Sequence, residues 1–208
     1  MKNVIPVIGM SPGNSYFKDD VIERLLKSVV EKFGGAAVLI PNIPAISTYI
    51  ALGYPENIAR RDKALPKGNN LRNKVEKTKA KLKYSSEKVK LRNWENEVEN
   101  NPDYKEKHDA VLRLYESNYS FRMSVDDATR EVLENADQEI SDLNTAVKIG
   151  VDYLLSEIAF MEFAPQYLGT SKTIYIYHRH WPVYEKYIAG DFDAIKKSWL
   201  GFEIVNVV

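Results

Sequence analysis

Three short segments carry the residue types that acyl chemistry needs. The first is Gly9-Met10-Ser11-Pro12-Gly13-Asn14-Ser15-Tyr16-Phe17, where a serine follows directly on an apolar run. A serine there can accept an acyl group if its hydroxyl is exposed and activated. The second lies in Val151-Asp152-Tyr153-Leu154-Leu155-Ser156-Glu157-Ile158-Ala159-Phe160. Tyr153 and Glu157 are four residues apart and share one helix face within otherwise apolar sequence. A carboxylate placed there is either bonded to a phenol or backbone group for structure, or serves as a general acid or base. The third is Tyr175-Ile176-Tyr177-His178-Arg179-His180, where strand alternation sends Tyr175 and Tyr177 to one sheet face, for packing or for chemistry.

What is missing narrows the chemistry. The 208 residues contain no cysteine, which excludes a disulfide framework, a zinc finger, an iron–sulfur cluster and a thiol nucleophile, and leaves a hydroxyl for that role. Neither the P-loop nor the Gly-x-Gly-x-x-Gly pattern is present, which argues against a nucleotide cofactor. Gly9-x-Ser11-x-Gly13 reads as a strand-ending turn, as a substrate or phosphate loop, or as the nucleophile elbow of an α/β-hydrolase. The elbow fits poorly, because that fold needs several strands before its serine and only ten residues precede Ser11.

Charge is balanced overall, with 29 Lys+Arg and 29 Asp+Glu, but it is segregated. Residues 60–92 hold 13 Lys/Arg against three Asp/Glu, and residues 93–142 hold five against 14. The basic block is a candidate footprint for a phosphate backbone, against the plainer reading of a solvated surface. Hydrophobic residues make up 44 %, enough for one core, so the whole of 1–208 is expected to form one domain. No apolar run reaches about 18 residues, and the start at Met1 is too quickly interrupted to be a signal peptide. A cytoplasmic, non-membrane protein is expected.

The elements that must position these segments follow from periodicity. Val4–Gly9 and Ala36–Ile40 read as buried strands around a helix capped by Asp19 or Asp20 and ended at Gly34-Gly35. That is a βαβ unit with parallel strands, the start of a Rossmann-like sheet. Short helices are expected over 48–52 and 56–64, and a basic helix over 70–83 with Leu71, Val75 and Leu82 on its apolar stripe. Residues 88–92 alternate as an edge strand, 173–178 and 202–208 read as further strands, and 182–189 as a helix. Three more helices are expected over 103–119, 124–135 and 144–163, the middle one capped by Ser124 through a capping box. The expected fold class is α/β, a mostly parallel five-stranded sheet flanked by helices.

The serine loop, the Tyr153-x-x-x-Glu157 helix and the Tyr177-His178 strand end, in this order and with a basic helix, resemble the cyclodipeptide synthases. These are Rossmann-fold enzymes, similar to the catalytic domain of class I aminoacyl-tRNA synthetases, that join two amino acids from charged tRNAs into a diketopiperazine. Asn14, Tyr177 and His178 match the signature of the family's Asn-Tyr-His branch. The resemblance implies a ping-pong reaction through aminoacyl- and dipeptidyl-Ser11, with two aminoacyl-tRNAs as partners and neither metal nor cofactor. It implies that Tyr153 and Glu157 hold the α-ammonium and that Tyr177 positions Ser11. Val7, Gly9, Asn14, Phe160, Tyr175 and His178 become candidates for substrate contacts, and Arg72, Lys74, Lys77, Lys79, Lys81 and Lys83 for tRNA phosphates. Alternatives are a small serine hydrolase or acyltransferase relaying through His108, His178 or His180, and a non-catalytic RNA-binding module. With no heptad or self-pairing edge in view, a monomer is expected.

Overall fold

Two apolar strands with opposite demands on their faces set the architecture. In the protein, seen here in a computed structural model that describes residues 4–208, Val4–Gly9 forms β1 and Ala36–Ile40 forms β2, joined by helix α1 over Asp19–Phe33. Met1 to Asn3, part of the start weighed above as a leader, lie outside the described residues. Helices α2 (Ala45–Ala51) and α3 (Glu56–Ile58) follow, then a π-helical turn over Ala59–Ala64 that runs into α4, Leu65–Leu82. Strand β3 (Val89–Asn93) and a second π-helical turn (Trp94–Val98) lead to α5 (Pro102–Ser117), α6 (Tyr119–Glu134) and the long α7 (Leu143–Leu168). The chain closes with β4 (Lys172–Tyr177), α8 (Pro182–Ala189) and β5 (Leu200–Ile204).

The sheet order is β3-β2-β1-β4-β5 and every pairing is parallel. Val7 stands opposite Ala37 on one side and Tyr175 on the other. Because side chains alternate along a strand, Val7, Ala37, Leu39 and Tyr175 pack against the α5–α8 layer, while Ile8, Val38, Ile40 and Ile176 pack against α1 and α4. Both faces are covered, which is why β1 and β2 read as nearly continuous apolar runs. Burying one such side chain fully contributes roughly 1.5–3 kcal/mol.

Two expected caps differ. Lys18, not Asp19 or Asp20, occupies the cap position of α1, with no side-chain cap bond, and both acids lie in the first turn, where they suit the helix dipole. Ser124 is no cap either. It sits inside α6, whose start is set by Asn118 accepting the Phe121 N–H at 2.9 Å, so that α6 begins earlier than its apolar spacing suggested. The strand expected over 202–208 runs instead from Leu200 to Ile204, and the helix expected over 70–83 begins at Leu65.

Candidate active site

Ser11 follows β1 at the carboxyl end of the sheet. Strand order reverses between β1 and β4, and such a switch point is where open α/β sheets bind ligands. The Asn14 N–H donates to the Ser11 carbonyl at 3.1 Å and closes a turn around Pro12 and Gly13. Gly13 has φ +86°, so Pro and Gly occupy the two central places that a type II turn favours. Asn14 Oδ1 accepts the Tyr16 N–H at 2.9 Å and extends the turn. Met10, next to the serine, is fully buried, and its N–H donates to Leu39 at 2.9 Å. The serine is therefore carried on backbone fixed from both sides.

Helix α7 supplies the phenol and the carboxylate. Tyr153 Oη donates to Ser11 Oγ at 2.9 Å. Burial, and then the Glu157 charge, hold the Tyr153 hydroxyl well above its usual range, so it stays a proton donor. Tyr177 is also raised by burial and by Glu157, while hydrogen bonds with Ser11 and Asn14 pull the other way. Glu157 is only 4 % exposed, and its Oε1 accepts from Tyr175 Oη at 2.8 Å. Burial pushes its carboxyl up to about 7, opposed by the Tyr175 bond. Among the described residues no cation pairs with it. A buried carboxylate facing one phenol is costly to ionise until a positive charge arrives.

The candidate specificity residues are less open than their positions suggested. Val7 is fully buried in the core. Phe160 is buried too, its ring 5.6 Å from that of Trp94 and 6.3 Å from that of Phe163. A Cβ on Gly9 would lie 1.8 Å from Tyr175 Oη, so the glycine makes room for the very phenol that holds Glu157. His178, just past the end of β4, has its ring 4.4 Å from that of Tyr177, stacked at 3.9 Å on Tyr16 and edge-on to Phe17 at 5.8 Å. Desolvation, and then Arg179, lower it to about 4, so a neutral ring supports the serine loop from below.

The six basic residues expected on one helix divide sharply. Lys79 is 6 % exposed and pairs with Glu76 at 2.9 Å; Lys81 pairs with Glu23 at 2.5 Å. Lys74 donates to the Phe17 carbonyl at 3.2 Å and pairs with Asp19 at 3.4 Å, so it ties α4 to the serine loop. Arg72, Lys77 and Lys83 have no carboxylate partner among the described residues. Sequence reasoning missed Lys67, whose Nζ lies 5.1 Å from the centre of the Tyr49 ring, while Tyr49 Oη donates to Pro12 O at 3.5 Å.

None of the three histidines forms a hydrogen bond with Ser11 among the described residues. His108 faces Ser156 and Asp152, His178 stacks on Tyr16 and His180 binds Glu185. The relay a serine hydrolase needs is not assembled. No described group of three or more acidic or histidine side chains is placed to hold a metal, and no described helix is long and apolar enough to cross a membrane.

Known proteins match this sequence and fold. Residues 5–206 match the family model "Cyclodipeptide synthase". The chain is 25 % identical over 205 residues to the cyclo(L-leucyl-L-leucyl) synthase of Bacillus subtilis, covering 96 % of this chain and 81 % of that protein. It is 26 % identical over 180 residues to the cyclo(L-tyrosyl-L-tyrosyl) synthase of Mycobacterium tuberculosis, covering 86 % of this chain and 62 % of that one. The structure superposes on a cyclodipeptide synthase from Bacillus thermoamylovorans with a TM-score of 0.82 at 24 % identity, over 98 % of this chain and 90 % of the other. A Mycobacterium tuberculosis protein, whose structure was described as demonstrating that cyclodipeptide synthetases are related to type I tRNA synthetases, superposes with a TM-score of 0.77 at 23 % identity, over 98 % and 86 %. The chain belongs to the cyclodipeptide synthase family.

Proposed function

We propose that this chain joins two aminoacyl groups from two aminoacyl-tRNAs into a cyclodipeptide, with Ser11 as the covalent carrier. The observation that supports this most is the pairing on α7: Tyr153 touches Ser11, and one turn on Glu157 waits without a cation. An aminoacyl ester brings both a reactive carbonyl and an α-ammonium. Tyr153, bonded to Ser11, and Glu157 lie one helical turn apart on α7, so the serine can meet the carbonyl while the carboxylate meets the ammonium.

In the first step Ser11 Oγ bonds to the ester carbonyl carbon, the carbon–oxygen bond to the ribose breaks, and the serine proton passes to the leaving ribose oxygen. Tyr153, donating to Oγ, fixes its lone pairs and leaves the serine hydrogen directed outward. Glu157 pairs with the ammonium and takes a proton from it, a task suited to a carboxyl near 7. The freed amine of the Ser11-bound residue attacks the ester of the second aminoacyl-tRNA. The amide forms as the carbon–oxygen bond to the second ribose breaks, the amine's proton passes to that ribose oxygen, the second tRNA leaves, and the dipeptide stays on Ser11. Its new terminal amine then attacks the Ser11 ester, closes the six-membered ring and returns a proton to Oγ. Each bond uses ester energy already present, so the protein's work is orientation.

Incubating the protein with a mixture of aminoacyl-tRNAs tests this reading. Intact-mass analysis is expected to show an aminoacyl adduct on Ser11, and the supernatant a diketopiperazine. Absence of both overturns it.

A further inference from the structure

The basic helix expected from residue 70 begins at Leu65, so α4 runs through Gly68. A Cβ on Gly68 would lie 2.6 Å from the Cβ of Asn42, so glycine lets α4 approach the segment after β2 closely. That approach brings Lys67 to the serine turn. A Cβ built on Gly13 would meet Lys67 Nζ at 3.3 Å and Tyr49 Oη at 2.6 Å. One helical turn earlier, Lys63 Nζ lies 4.3 Å above the Tyr54 ring, which stands edge-on to Tyr49 with centroids 6.3 Å apart.

These two lysines differ from most neighbouring cations. Arg60 pairs with Glu95, Arg61 with Asp62, Lys74 with Asp19, Lys79 with Glu76 and Lys81 with Glu23. Lys63 and Lys67 have no carboxylate partner among the described residues. They rest on aromatic faces, a weak contact at exposed sites, which a phosphate readily outcompetes.

We propose that Lys63 and Lys67, with Tyr54, form a subsite for the single-stranded 3′ end of the RNA substrate, each ammonium taking one backbone phosphate beside the reacting ester. The inference rests on the reading of Ser11 as the acceptor of an aminoacyl group from tRNA. The ester sits on the terminal ribose, so when its carbonyl reaches Ser11 the last nucleotides must leave across the rim of the Ser11–Asn14 turn, where Lys67 stands. Cations interleaved with rings are what single-stranded nucleic acid recognises without regard to sequence. Arg72, Lys77 and Lys83 follow along the same element, placed for phosphates farther from the ester.

The test compares intact aminoacyl-tRNA with a short single-stranded oligonucleotide of its 3′-terminal sequence carrying the same aminoacyl group, reading the rate of Ser11 acylation at several salt concentrations. With the oligonucleotide, the double variant Lys63→Ala, Lys67→Ala is expected to lower kcat/KM roughly tenfold and to flatten the logarithmic salt slope by about 0.7 per lysine. The saturating rate stays within about twofold, since phosphate contacts position the substrate without entering the chemistry. Lys67→Arg retains most of the wild-type kcat/KM. Replacing Lys77 and Lys83 lowers kcat/KM more with intact tRNA than with the oligonucleotide. An unchanged kcat/KM and salt slope in the double variant overturns the subsite. So does a wild-type enzyme that is acylated by intact tRNA and ignores the oligonucleotide. Absence of Ser11 acylation with either substrate overturns instead the reading beneath it.

Discussion

Helix α7 presents two serine-centred clusters from neighbouring faces, and they invert what residue types alone suggest. On one face Tyr153 meets Ser11 and Glu157 meets Tyr175. On the next, Ser156 Oγ lies 3.4 Å from His108 Nε2, and Asp152 Oδ1 lies 3.9 Å from that same nitrogen. The second cluster has the Ser, His and Asp of a hydrolase, but a relay needs the acid and the serine on opposite ring nitrogens. Asp152 is also 53 % exposed, and Ser156 is buried. His108 latches α5 to α7. The first cluster has no histidine, yet it alone places a hydroxyl at the sheet's switch point beside an uncompensated carboxylate.

The comparison breaks most readily at the two serines. Ser11→Ala is expected to abolish cyclodipeptide formation, a loss of about 10³-fold or more of the kind seen when a covalent nucleophile is removed, with no acyl adduct by mass spectrometry. Ser156→Ala is expected to keep activity within about threefold, because it removes one hydrogen bond worth roughly 0.5–1.5 kcal/mol of stability. A Ser156 variant that lost turnover while folding normally would move the chemistry to the other face.

Next in size is Glu157→Gln, which keeps the shape and a hydrogen-bond acceptor but cannot hold an ammonium or take its proton. We expect kcat/KM to fall about 10²–10⁴-fold, the usual span for a lost acid–base group. In the wild type, kcat/KM is expected to rise with pH through about 7 as Glu157 ionises. Stability runs the opposite way. A carboxyl near 4.5 when unfolded and about 7 when folded favours the folded state fully below the lower value, and that contribution is lost as pH rises through the upper one. Glu157→Gln removes this loss, so denaturant titrations at pH 5 and pH 8 should show the variant gaining relative to wild type by about 3 kcal/mol at most. Equal differences at both pH values would show that Glu157 is not held protonated by its surroundings.

Strand positions were largely legible in the sequence because β1 and β2 are buried on both faces and bounded by glycine or proline. The three candidate segments were legible for a related reason: a polar residue amid apolar neighbours is visible without knowing the fold. Surface charge was not. Lys79 looks like its neighbours in the basic run, and only the closing of α4 over the sheet buries it beside Glu76. Lys67 was missed because apolar spacing starts the basic helix at residue 70, whereas α4 begins at Leu65 and passes Asn42 closely at Gly68. His178 follows Tyr177 just past the end of β4, and only the fold of the serine loop stacks Tyr16 on its ring. Ser124 carried a capping signature that Asn118 preempts, because local patterns do not say which of two caps closes first.

A loss smaller than that of Glu157→Gln distinguishes support from chemistry within the first cluster. Tyr153→Phe removes one donor to Ser11 Oγ at 2.9 Å and nothing else. If the phenol only orients the serine, the loss should match one hydrogen bond of about 1 kcal/mol, or roughly five- to tenfold in the rate of Ser11 acylation. Its pH dependence should stay that of wild type, since the Tyr153 hydroxyl is held too high to titrate in the working range and Glu157 still sets the limb near 7. A loss beyond about 10³-fold, or a shifted limb, would mean that Tyr153 also moves protons. Gly9→Ala probes the same cluster from beneath. Its methyl would sit 1.8 Å from Tyr175 Oη, forcing the phenol off Glu157 and coupling the strand to the carboxylate proposed to hold the ammonium.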